Sequence, residues 1–153
     1  MAVAVVKLGV GNTASVLYAL QRLVAPAVLS DDPAVIAGAE RVILPGVGAA
    51  AHAMRQIELR GLRPALCGFR RPLLGVCLGQ QLLFERSEEG NARGLGLLPG
   101  AVTRLPAASD QISPHMGWSQ LAPIREHPLL EGVRAGDYVY FVHSYVCPLG
   151  EHA

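Results

Sequence analysis

The sequence has little of what marks a nucleic-acid or membrane protein. Aromatic residues make up only 5% of its 153 residues, too few to suggest a base-stacking surface. Its 13 basic and 12 acidic residues leave a net charge of +1, so no field of one sign draws the chain to a polyanion or an anionic bilayer. No apolar run approaches the length that crosses a bilayer. The opening MAVAVVKLG lacks the basic flank of a signal peptide. Cysteine is scarce as well. Cys67, Cys77 and Cys147 are odd in number and widely spaced, which makes a poor disulfide framework, and none has zinc-ligand spacing. Cys67 and Cys147 read as small buried apolar residues. The expectation is a reduced, cytoplasmic protein with no metal and no cofactor, bound to neither nucleic acid nor membrane.

What is present is a globular composition, 51% hydrophobic and 16% charged, at a length that fits a single domain over residues 1–153. AVAVVKL (2–8) is β-branched and predicts a strand, and GVGN (9–12) a glycine turn. Asn12 or Thr13 caps a helix whose apolar positions Val16, Leu17, Leu20, Leu23 and Val24 repeat at helical spacing. PAVLS (26–30) predicts a second strand. Asp31 and Asp32 before Pro33 predict a helix start. RVILPG (41–46) predicts a third strand, residues 49–59 a helix, residues 61–68 a short helix, and RPLLGV (71–76) a fourth strand. Strands alternating with helices imply a mostly parallel sheet covered by helices on both faces. AVTRL, MGWSQL and DYVYFVHSYV read as strands without long helices between them, expected as antiparallel or mixed additions at the sheet edge.

Open α/β sheets bind ligands at the carboxyl ends of their strands. Three glycine-bearing turns fall there: GVGN, PGVG (45–48) and GVCLG (75–79). The last is G-x-C-x-G between a strand and a helix-like run, QQLLFE (80–85), which is the thiol form of a nucleophile elbow. Such a bend lifts Cys77 clear of the sheet, and the following helix N-terminus favours negative charge on its sulfur. The N–H of Leu78 becomes available to an oxyanion, and PGVG supplies a neighbouring loop for a second donor.

GVCLGQQLLFE preceded by ILPGVGA resembles the class I, triad-type glutamine amidotransferases. GVGN, DDP, RVILPGVGAAAHAM, GLGLLPG, PHMGWSQL and YFVHSYV, in order along almost the whole chain, resemble the glutaminase subunits of imidazole glycerol phosphate synthases within that class. PHMGW and VHSY are the more specific signals. The resemblance implies a flavodoxin-like fold and hydrolysis of L-glutamine to glutamate and ammonia through a Cys77 thioester. The ammonia would pass to a separate cyclase subunit in histidine biosynthesis, as one half of a heterodimer. It further implies an oxyanion hole at Val47 and Leu78. Glutamine contacts would come from Gly46, Gly48, Gln81, Ser144 and Tyr145. Asn12, Met116, Trp118 and Tyr140 would form a cyclase-facing surface. Read without it, Asn12 is a helix cap and the other three are core.

The resemblance is incomplete. The family's histidine base and orienting glutamate lie in a late GxQFHPE-type stretch. None of His52, His115, His127, His143 and His152 is followed by Pro-Glu. The expectation is a C-terminally incomplete domain with an exposed sheet edge, little glutaminase turnover and low stability. Lys7 and Ser119 also depart from the family's usual residues. Three alternatives stay open: another class I glutaminase, a docking module without catalysis, and a cysteine hydrolase or redox protein of flavodoxin-like architecture.

Overall fold

The computed structural model describes residues 2–9, 11–106 and 113–150. Val10 of the first glycine turn and His152 lie outside the described residues. The chain divides into two compact units, Met1–Thr103 and Arg104–Ala153.

The first unit is built on four parallel strands: β1 (Val3–Val6), β2 (Ala27–Ser30), β3 (Arg41–Gly46) and β4 (Leu73–Cys77). Their order is β2-β1-β3-β4. Ala4, Val5 and Val6 have no exposed surface, so consecutive residues of β1 are covered on both faces, which is why the run does not alternate. The connecting helices are α1 (Thr13–Arg22), α2 (Pro33–Gly38), α3 (Ala50–Leu59) and α4 (Leu62–Cys67). Asn12 Oδ1 accepts from Ser15 N at 3.2 Å to start α1, and Asp32 Oδ1 accepts from Ala34 N at 2.8 Å to start α2. Both are helix caps that local sequence encodes. Ile36, Ile57, Leu62 and Leu66 pack with Val42 and Leu44 in one buried cluster. Among the described residues no helix is long and apolar enough to cross a membrane.

Two expectations are corrected here. The strands of the second half do not extend the parallel sheet. β5 (Phe84–Ser87) pairs antiparallel with β6 (Ala92–Arg93) and parallel with β7 (Leu98–Arg104), in a sheet separate from the parallel one. QQLLFE is not a helix either. α5 (Leu78–Gln81) is a single turn, and Phe84 and Glu85 already belong to β5. The reason is pairing with residues farther along the chain. Leu82 O accepts from Leu95 N at 2.8 Å, Leu83 O from Leu97 N at 2.8 Å and Leu98 N at 3.0 Å, and Phe84 O from Gly96 N at 3.1 Å. These bonds tie residues 82–84 to a loop from farther along the chain in place of further helical turns.

The second unit contains β8 (His115–Gln120) antiparallel to β9 (Tyr138–His143), followed by β10 (Tyr145–Val146). The pair is two-sided, as period-two strands require. Met116, Trp118, Gln120, Tyr138, Tyr140 and Val142 are exposed, while His115, Gly117, Ser119, Val139, Phe141 and His143 are half-buried.

Candidate active site

Cys77 closes β4 with φ 55° and ψ −119°, a backbone state that L residues adopt at a cost of about 1–3 kcal/mol. Two glycines make this possible. A Cβ on Gly75 would lie 2.5 Å from Gln80 Cα, and one on Gly79 would lie 1.7 Å from Leu44 O. α5 is therefore packed so tightly against β4 at Gly75 and against β3 at Gly79 that only hydrogen fits at either place. Its apolar residues anchor it. Leu78 is 3% exposed and Leu82 1%, and burying each contributes about 1.5–3 kcal/mol, enough together to offset the strain. Cys77 itself is a free, exposed cysteine. The sequence places two apolar anchors just after an exposed thiol.

The neighbouring strand brings the second loop to the same place. In the parallel register Pro45 pairs with Val76 and Gly46 with Cys77. Val47, half exposed, and Gly48, with φ 91°, follow at once. The first glycine turn joins them, for a Cβ on Gly11 would sit 3.5 Å from Val47 N. Three loops expected at strand ends thus adjoin: the first glycine turn lies against residues 46–47, and Gly46 is in register with the exposed Cys77. Backbone N–H groups of such loops can hold an oxygen that gains charge while the sulfur attacks a carbonyl carbon. Leu78 is the first residue of α5 and Gln81 its last, half-buried, one turn beyond Cys77.

Ser144 and Tyr145 belong to the second unit. Ser144 O accepts from Leu105 N at 2.9 Å, and His143 Nδ1 donates to Tyr145 O at 2.9 Å. On the exposed face of the β8–β9 pair, Trp118 lies opposite Tyr140 with ring centroids 5.5 Å apart and planes at 76°, an edge-to-face pair. Met116 shares that face. These three are surface residues, against the sequence-only alternative that would bury them. Asn12 is the cap of α1, as that alternative has it.

The remaining cysteines and histidines have local partners or surroundings. Cys67 Sγ donates to Leu95 O at 3.4 Å. Burial raises the Cys147 thiol above its ordinary value of 9.0. His115 Nε2 lies 3.1 Å from Ser119 Oγ, and His127 Nδ1 accepts from Leu129 N at 3.2 Å. Among the described residues no group of three His, Cys, Asp or Glu side chains could hold a metal ion.

One residue of the region escaped sequence reasoning. Glu89 Oε2 accepts from Ala50 N at 2.8 Å, at the first turn of α3. The bond spans 39 positions, so no local signal announces it. In sequence Glu89 is one more acid in a polar SEEGN stretch.

The model of the family described as glutamine amidotransferase class-I matches residues 11–151. The chain is 52% identical over 147 residues to the imidazole glycerol phosphate synthase subunit HisH of Xylella fastidiosa (strain Temecula1), covering 96% of this chain and 74% of that protein. It is 45% identical over 155 residues to the subunit of the same name from Aromatoleum aromaticum, covering 94% of this chain and 73% of the relative. A solved structure described as a glutamine amidotransferase superposes with a TM-score of 0.71 at 22% identity, over 99% of this chain and 76% of that one. At that identity it speaks for the fold alone, an α/β architecture with a mostly parallel sheet.

Proposed function

Given that this chain belongs to the class I glutamine amidotransferases, and within them to the family of the HisH subunits of imidazole glycerol phosphate synthase, we propose that Cys77 is its glutamine-attacking nucleophile. The observation that carries the reading is the backbone of Cys77, at φ 55° and in register with Gly46. In the reaction, Sγ adds to the side-chain amide carbon of L-glutamine. The N–H groups of Val47 and Leu78 hold the oxyanion. The C–N bond then breaks, ammonia leaves with a proton, and a glutamyl thioester remains for water to hydrolyse to glutamate. Gly46, Gly48, Gln81, Ser144 and Tyr145 are the proposed contacts to the amino acid. No metal or organic cofactor is required, because the thiolate supplies the nucleophile.

The ammonia is consumed by a cyclase subunit; the exposed Met116, Trp118 and Tyr140 of the second unit are proposed as contacts to it, and Asn12 of the first unit is proposed as a further contact. Large exposed aromatic side chains gathered on one strand face are what a partner interface needs, and this supports the assignment of that face.

A general base contributes roughly 100- to 10,000-fold in such reactions. No His-Pro-Glu stretch occurs in the sequence. A polypeptide of these 153 residues is therefore expected to react at Cys77 but to turn glutamine over slowly. Glutamate release, measured with and without the cyclase subunit, tests this. Fast turnover lost in Cys77→Ala would refute the slow-turnover part and uphold the nucleophile. Turnover that survives Cys77→Ala would overturn the nucleophile. A second reading, docking without catalysis, draws on the exposed face of the β8–β9 pair. Cyclase capture without any reaction of Cys77 toward glutamine analogues would favour it.

A further inference from the structure

The loop of residues 46–49 runs from the end of β3 straight into α3. One end is fixed by the pairing of Gly46 with Cys77. The other end is the start of a helix, where the first backbone N–H groups have no partner within the helix. Ala49 occupies the cap position and makes no side-chain cap bond. A Ser, Asp or Asn there would have closed the helix locally. Instead the partner comes from the short turn between β5 and β6, where Glu89 Oε2 accepts from Ala50 N at 2.8 Å.

That carboxylate is itself held in place. Glu89 N donates to Ser87 Oγ at 3.1 Å, and Ser87, the last residue of β5, is 5% exposed. Gly90, with φ 67°, runs so close to α3 that a Cβ there would lie 2.9 Å from Ala51 Cβ. The acceptor is therefore tied to a buried strand end and pressed against the helix it caps. Between the two fixed ends lie Val47, Gly48 and Ala49, all exposed. Gly48 carries a positive φ of 91°, so the peptide units beside it have little steric preference of their own.

We infer that Glu89 is a positioning residue for the oxyanion loop: by capping α3 at Ala50, its carboxylate anchors the far end of residues 46–49, the segment whose peptide units are to receive a developing oxyanion beside Cys77. The inference rests on Cys77 being the glutamine nucleophile. Glu89 acts through the backbone of α3 and needs to accept only one hydrogen bond. It follows that a neutral acceptor of the same length can replace it.

The test is affinity labelling of the full chain with a chloroketone analogue of L-glutamine, followed by intact mass. Cys77 sulfur forms a C–S bond to the chloromethyl carbon and chloride leaves. The inactivation rate and the half-saturating concentration are measured separately, with iodoacetamide as a probe that needs no oxyanion site. Losing a well-placed oxyanion donor costs about 100- to 1,000-fold, so loosening one should cost somewhat less. In Glu89→Ala the maximal labelling rate falls about 10- to 100-fold. Half-saturation and the iodoacetamide rate stay within about threefold of wild type, as expected when the transition state and not the ground state is affected. Glu89→Gln restores the rate to within about threefold, because the amide oxygen still accepts from Ala50 N. Labelling of Glu89→Ala at the wild-type rate overturns the inference. So does weaker half-saturation at an unchanged rate in both variants, the signature of a carboxylate that touches the ligand directly. Should Glu89→Ala not fold, Glu89→Gln alone decides: near-wild-type constants support the cap, and a tenfold loss of half-saturation overturns it. If the wild-type chain reacts with iodoacetamide but not with the chloroketone, the nucleophile assignment itself has failed, a result distinct from any difference between variants.

Discussion

At the scale of single residues, the elbow depends on atoms that are missing. Gly79 has no room for a methyl group, since the nearest atom to its Cβ position is the Leu44 carbonyl oxygen at 1.7 Å. Backbone cannot rotate away as a side chain would. Gly79→Ala is therefore expected to destabilise the chain by about 3 kcal/mol or more, read from the midpoint of urea unfolding, and to abolish affinity labelling of Cys77. Gly48 has a positive φ but nothing within 4 Å of its Cβ position. Gly48→Ala should cost only the left-handed backbone penalty, about 1–2 kcal/mol, and leave the fold intact. Equal losses in the two variants would show that the close approach of Gly79 to β3 is not what fixes the turn.

The cysteines separate by environment. Desolvation holds the Cys147 proton above the ordinary 9.0, so its neutral thiol persists to higher pH than a free thiol would, and only thiolate alkylates. Iodoacetamide near pH 8 is expected to modify the exposed Cys77 well before Cys147, with Cys147 joining as pH rises past its ordinary value. The sign for stability follows from the same linkage. Above that value the unfolded chain has lost a proton the folded chain retains, so this thiol erodes stability toward alkaline pH. Peptide mapping against pH checks the order, and early modification of Cys147 would contradict it.

At the scale of elements, the parallel sheet was legible because its signals are local. RVILPG is β3 residue for residue, and the Asn12 and Asp32 caps open the helices they precede. The thiol elbow was legible for the same reason: its glycines flank the cysteine in sequence. The short α5, the sheet of β5, β6 and β7, and the Glu89 cap were not. Each is decided by bonds between residues far apart, such as Leu95 N to Leu82 O and Ala50 N to Glu89 Oε2, which no periodicity displays. The end of α1 offers a quantitative test. Val24 is 88% exposed with φ 54°, a left-handed state unfavourable for a β-branched side chain. Its N–H donates to Gln21 O at 3.0 Å, so the conformation serves to close the helix. Val24→Gly removes the Cβ penalty at no loss of packing and should stabilise by about 0.5–1 kcal/mol. For a chain of this size that raises Tm by roughly 1–4 °C. An unchanged or lower Tm would mean that Val24 packs in a way its exposure does not suggest.

At the scale of the whole molecule, the chain presents an exposed thiol in its first unit and an exposed aromatic face in its second. The face holds Trp118 at 68% exposed, Met116 at 61% and Tyr140 at 53%. So much apolar surface on one strand pair makes it a candidate interaction site. If it docks the cyclase, Trp118→Ala should weaken binding by about 2 kcal/mol, near 30-fold, in calorimetric titration with the cyclase subunit. The Cys77 iodoacetamide rate should not change. Unaltered affinity would move the interface elsewhere. Sequence alone carried the family and singled out Cys77 as the proposed nucleophile, because both signals sit in contiguous motifs. It could not give the exposure of this face, since alternating apolar residues read the same whether a core or a partner covers them.

The central claim is that Cys77 is a glutamine-directed nucleophile, and site-resolved labelling tests it most directly. The chain is exposed to the chloroketone analogue with and without excess L-glutamine, digested, and its three cysteines mapped by mass spectrometry. The account predicts an adduct on Cys77 that glutamine suppresses, with Cys67 and Cys147 unmodified. Adducts spread over all three cysteines, or a Cys77 adduct that glutamine does not slow, would contradict it.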